Sequence, residues 1–75
     1  MPRIPRVNAR EMVRALHRAG FEDDHSTGGH LVLRHPENHR RVTVPMHPGD
    51  LAVGLIHDIL DEAGLSVEEF IALLK

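Results

Sequence analysis

Two alternating runs, HLVLRH over residues 30–35 and RRVTVP over residues 40–45, limit what this chain can become more than any other feature. A side-chain period of two belongs to a strand, and the intervening PENH supplies turn chemistry through Pro36 and Asn38. The alternation sets Leu31 and Leu33 on one side with Val42 and Val44. His30, Val32 and Arg34 fall on the other side with Arg41 and Thr43. One face is expected to pack on helices. The other is expected to stay open and to carry His30, Arg34 and Arg41.

The flanking segments carry helix grammar. Asn8 stands as an N-cap with Glu11 three residues on, and Val7 and Met12 occupy hydrophobic-staple positions. Ala9, Met12, Val13 and Leu16 then form one apolar face, and Gly20 followed by Phe21 closes the segment, so a helix is expected over residues 9–19. FEDDH, residues 21–25, reads as a short, poor edge strand, with a turn over 26–29. MHPGD, residues 46–50, reads as a loop. Leu55, Ile56, Ile59, Leu60 and Ala63 mark a second helix that Gly64 ends. Ser66 and Glu69 then repeat the capping box, with Leu65 and Phe70 as the staple, over a short helix at 67–74. The expected order is α-β-β-β-α-α, an α+β fold with helices on one face of a three-stranded antiparallel sheet. At 75 residues this is one domain, with residues 1–7 as an extended arm.

There is no cysteine, which removes disulfide scaffolds and thiolate metal sites from consideration. No apolar run is long enough to span a membrane and no signal-peptide pattern opens the chain, so a cytoplasmic protein is expected. The net charge of −2 hides an asymmetry. Residues 1–41 hold eight Arg against five Asp/Glu, and residues 42–75 hold one Lys against six. The basic half can act as an electrostatic footprint for a polyanion. Arg10, Arg14 and Arg18 recur every four residues, which aligns them as a stripe opposite the apolar face of the first helix. Such a stripe is either a solvated face or a phosphate-contacting one.

His30 is the first candidate for chemistry. Imidazole exchanges a proton near neutral pH, and Gly28 and Gly29 before it remove bulk and offer backbone N–H groups to a phosphate. The plainer alternative is a surface histidine after a glycine turn. His35, His39 and His47, with Asp50, are the only grouping that suggests a metal. No helix carries an H-x-x-x-H pattern, so no metal and no cofactor is expected. Serine and threonine are scarce and no nucleophile motif is present. A lone histidine with nearby cations suits a substrate that brings its own nucleophile, as RNA does in its 2′-hydroxyl.

The chain resembles the HicA family of mRNA interferase toxins, also called the YcfA-like family. The resemblance rests on Leu16 with Ala19-Gly20-Phe21, on Gly28-x-His30 and on His35-Pro36. It continues through Val42-Thr43-Val44-Pro45-x-His47, Gly54-Leu55, Ile59-Leu60 and Ala63-Gly64-Leu65-Ser66 up to Phe70. It implies a fold like the double-stranded-RNA-binding domain and endoribonuclease activity on mRNA, with His30 as general acid or base. It also implies a HicB-type antitoxin that blocks the site, and operator DNA bound only indirectly through that antitoxin. Where the family most often reads Gly-Ser-His, this chain reads Gly28-Gly29-His30. On this reading Gly28, Gly29, Arg34, Arg41, Arg10 and Arg14 are the candidate RNA contacts. His47 and His35 are the candidates for a second proton-transfer group. The alternative is a non-catalytic RNA- or partner-binding domain.

Overall fold

The computed structural model describes residues 3–75. The first helix, α1, spans Ala9–Arg18. Its start is the capping box expected from the sequence. The Asn8 side chain accepts from the Glu11 N–H at 2.8 Å, and the Glu11 carboxylate accepts from the Asn8 N–H at 3.0 Å. Two of the first turn's unpaired donors are satisfied in this way. The helix ends as a Schellman motif: the Phe21 N–H donates to the Leu16 carbonyl at 2.9 Å and the Gly20 N–H to the His17 carbonyl at 3.0 Å. Gly20 sits at φ 101°, where a side chain is strained.

Three strands follow, β1 (Glu22–Thr27), β2 (His30–Arg34) and β3 (Arg41–Pro45), joined in that order into one antiparallel sheet. β1 runs two residues past the expected strand end. The turn is correspondingly shorter: only Gly28 and Gly29 separate Thr27 from its partner His30. Gly28 takes φ 56° at the first central position, the pattern of a type II′ hairpin turn. The sequence hides this because β1 buries nothing; every residue from Glu22 to Thr27 is exposed. Without an apolar alternation, its length is set by the glycine turn and by pairing to β2.

The second helix, α2, spans Val53–Ala63 and starts earlier than its first apolar marker, with no side-chain cap at Ala52. The third, α3, spans Val67–Leu73 behind the second capping box, in which Ser66 Oγ accepts from Glu69 N–H at 3.1 Å. All three helices meet one face of the sheet. Met12, Leu16, Leu33, Val42, Val44, Ile56, Ile59 and Phe70 are the largest fully buried side chains of that single cluster. The result is the expected α+β arrangement. Arg40 fastens β3 to α2 by donating to the Glu62 carbonyl at 3.2 Å.

Met1 and Pro2 of the expected arm lie outside the described residues, and the remainder packs on the domain. Val7 is buried, Ile4 packs partly on the core, and the Leu51 N–H donates to the Val7 carbonyl at 2.8 Å. Apolar side chains at Ile4 and Val7 gain more by covering the core than by solvation. The outer sheet face exposes His30, Arg34, Arg41 and Thr43 as expected, and it covers one apolar side chain. Val32 is 7% exposed although it lies outside the core cluster. It occupies the middle of the central strand, flanked by His25 on β1 and Thr43 on β3, and those neighbours shield it.

Candidate functional site

The outer face of the sheet is built around the β1–β2 hairpin. Because Gly28 and Gly29 make a two-residue turn, His30 is both the first residue of the central strand and the cross-strand partner of Thr27. On its other side it pairs with Pro45. The Met46 N–H donates to the Gly29 carbonyl at 2.6 Å, which holds the exit of β3 beside the turn. His30 is exposed and takes no side-chain hydrogen bond among the described residues. Space around the turn is open: a Cβ placed on Gly28 or Gly29 meets nothing within 4 Å. The two-residue turn thus presents an imidazole whose ring nitrogens have no hydrogen-bond partner among the described residues, at the rim of a face that a polymer backbone can approach.

Further along β1 the ladder is irregular. Asp23 pairs with Leu33 but His25 pairs with Val32, so Asp24 is the extra residue of a bulge. The bulge restores parity for the rest of the strand. It brings His25 onto the face of Val32, which is also the face of His30, Arg34, Arg41 and Thr43. His25 Nδ1 lies 2.8 Å from Asp24 Oδ2. That hydrogen bond is the main reason the Asp24 carboxyl is held below the usual carboxylate range. Partial desolvation opposes it, and the charges of His25, Arg41 and Arg34 add to it. An ionised carboxylate only accepts hydrogen bonds, so the Nδ1 atom of His25 carries the proton and Nε2 is left free.

The other sequence-picked residues are spread over the molecule. Arg34 and Arg41 face each other across β2 and β3 on the outer face. They are four residues from His30, about 13 Å along the strand. Arg34 donates to His39 Nδ1 at 3.3 Å. These arginines therefore border Asp24 rather than His30. Arg10 and Arg14 are exposed on α1, which packs against the opposite face of the sheet. The third member of that stripe, Arg18, is committed to the chain end, donating to the carbonyl oxygens of Leu73 at 2.7 Å and Lys75 at 2.8 Å.

His35 stands just past the far end of β2, about 16 Å from His30. Its ring packs edge-on against Phe21 at 5.1 Å, and its Nδ1 accepts from the Glu37 N–H at 3.2 Å and the Asn38 N–H at 3.4 Å. His47 follows β3, with Nδ1 donating to the Pro48 carbonyl at 3.3 Å, beside a cleft it lines with Asn8 and Arg10. Among the described residues no three His, Cys, Asp or Glu side chains converge as a metal would require. No helix of the described chain is long and apolar enough to cross a membrane.

The Asp24–His25 pair is the feature that sequence reasoning missed. Ending the strand at His25 left no register by which to place that residue on a face. The available signal was the glycine pair itself. A two-residue hairpin between Thr27 and His30 extends β1 and points to cross-strand partners.

Comparison with known proteins adds one positive result. A family model described as the HicA toxin of bacterial toxin–antitoxin systems matches residues 9–65. No match to a curated protein sequence was found.

Proposed function

The chain belongs to the HicA toxin family of bacterial toxin–antitoxin systems, and from that premise we propose that it is an endoribonuclease that cleaves mRNA with His30 as a general acid or base. The observation that carries this reading is the placement of His30. It is exposed, at the first position of the central strand, directly after a two-glycine turn that leaves room for a phosphodiester. The substrate's own 2′-hydroxyl serves as the nucleophile, so the chain need supply no serine, cysteine or metal-bound water. The N–H groups of Gly28 and Gly29 are the nearest fixed donors for the phosphate oxygens. Arg34 and Arg41 are set for a phosphate further along the same strand, and Arg10 and Arg14 lie apart from the outer face.

The partner on this reading is a HicB-type antitoxin that covers the outer face, with operator DNA reached only through that antitoxin. Any protein that occupies the outer sheet face excludes RNA from it.

The test is cleavage of a defined mRNA by purified wild-type and His30→Ala protein. Wild-type protein is expected to cut the RNA and leave 2′,3′-cyclic phosphate and 5′-hydroxyl ends. His30→Ala is expected to lose cleavage by about 10²-fold or more with an unchanged circular-dichroism spectrum, since the residue is exposed. Equal cleavage by the two proteins overturns the assignment. RNA bound but not shortened by wild-type protein replaces it with a binding module.

A further inference from the structure

Transesterification of RNA moves two protons, one off the 2′-oxygen and one onto the departing 5′-oxygen, and one imidazole does not readily serve both in a single passage. The structure supplies a second imidazole on the same face. His25 sits opposite Val32, two residues along β2 from His30, so the two histidines are diagonal cross-strand neighbours. Such neighbours have Cα atoms about 7–8 Å apart. That spacing lets two ring nitrogens flank one phosphodiester. We propose that His25, positioned by Asp24, is the second proton-transfer group of the site and acts as the general acid, while His30 acts as the general base.

Several observations support this division of roles. His25 has a built-in orienting partner, Asp24 Oδ2 at 2.8 Å from Nδ1, which fixes the ring and leaves Nε2 for the substrate. When His25 is protonated this contact becomes an ion pair, so the proton donor has its counter-charge in place. His30 has no carboxylate partner among the described residues and is suited to accept. The charged and titratable groups facing His25 are Asp24 and Glu22 on its own strand, His30 and Arg34 on β2, and Arg41 on β3. The bulge at Asp24 makes the arrangement possible, because an unbulged strand turns His25 to the core side.

The step balances as follows. His30 takes the proton of the 2′-hydroxyl as the O2′–P bond forms. The P–O5′ bond breaks, and His25 Nε2–H protonates O5′. The products are a 2′,3′-cyclic phosphate and a 5′-hydroxyl end. His30 is left protonated and His25 neutral, and exchange with water restores both.

This inference rests on the ribonuclease reading, and its test separates the two. Two substrates are compared: a short oligoribonucleotide, and uridine 3′-(4-nitrophenyl phosphate), whose leaving group departs without a proton. His25→Ala and His25→Gln are expected to lose oligoribonucleotide cleavage by about 10²–10⁴-fold yet keep the nitrophenyl reaction within about 10-fold of wild type. His30→Ala is expected to lose both. Asp24→Asn tests positioning. It is expected to lower kcat for the oligoribonucleotide by about 10–100-fold with KM unchanged, and to keep the nitrophenyl reaction within about 10-fold of wild type. Wild-type rates on the oligoribonucleotide in both His25 variants overturn the inference while the ribonuclease reading stands. So does equal loss on both substrates in variants whose amide spectra remain native. A wild-type protein inert on both substrates overturns the ribonuclease reading and this inference together.

Discussion

At the scale of single residues, the glycines separate into structural and permissive positions. Gly20 is structural twice over: its φ of 101° disfavours any side chain, and a Cβ there comes 2.7 Å from His35 Nε2. Gly20→Ala is expected to cost about 1–3 kcal/mol, read as a lowered urea midpoint with an unchanged m-value. Gly29 is permissive. It does not need positive φ, and a Cβ there meets open space. Gly29→Ser is expected to change stability by less than about 0.5 kcal/mol, measured by the same urea titration. The histidines divide in the same way. His35 is a packing and turn-capping residue, and His30 is free, although the two look alike in the sequence. Spacing could not tell them apart because the distinction lies in what each ring touches.

At the scale of elements, legibility followed the apolar pattern. α1 and α3 were readable to within a residue because each opens with a capping box whose residues the sequence displays, Asn8 with Glu11 and Ser66 with Glu69. The core side of β2 and β3 was readable because Val42 and Val44 flank Thr43 and Leu33 lies at the matching phase of β2, and all three are fully buried. β1 was not. Its residues EDDHST carry no apolar face, so neither its length nor its bulge leaves a periodic trace. α3 also lies beyond the residues matched by the family model, yet it is anchored. Phe70 is fully buried and Arg18 bonds the carbonyls that follow it. Phe70→Ala is expected to destabilise the protein by about 3–5 kcal/mol, with loss of α3 protection in amide hydrogen exchange. The cost exceeds that of a surface change because a seven-residue helix has no independent stability and docks by this ring.

At the scale of the molecule, stability responds to acid through its carboxyls. Two carboxyls, Asp24 and Glu69, are held below their usual range. His25 does this for Asp24, and the Ser66 backbone and hydroxyl hydrogen bonds do it for Glu69. A lowered folded-state value means that the stabilisation is complete above the ordinary carboxylate range and drains away as pH falls through that range and below it. Denaturant titrations between pH 7 and pH 2.5 are expected to show this loss. The Asp24→Asn, Glu69→Gln double variant is expected to flatten part of the slope, and an unchanged slope would contradict the assignment.

The exposure of β1 has a consequence for how such a protein changes over time. A strand that buries no side chain places almost no stability constraint on its own sequence. The Asp24–His25 pair is set there by register and not by packing. Substitutions along residues 22–27 can accumulate with little penalty in folding, provided the glycine turn and the bulge persist. The hairpin therefore separates heritable variation in the working surface from the inherited core beneath it.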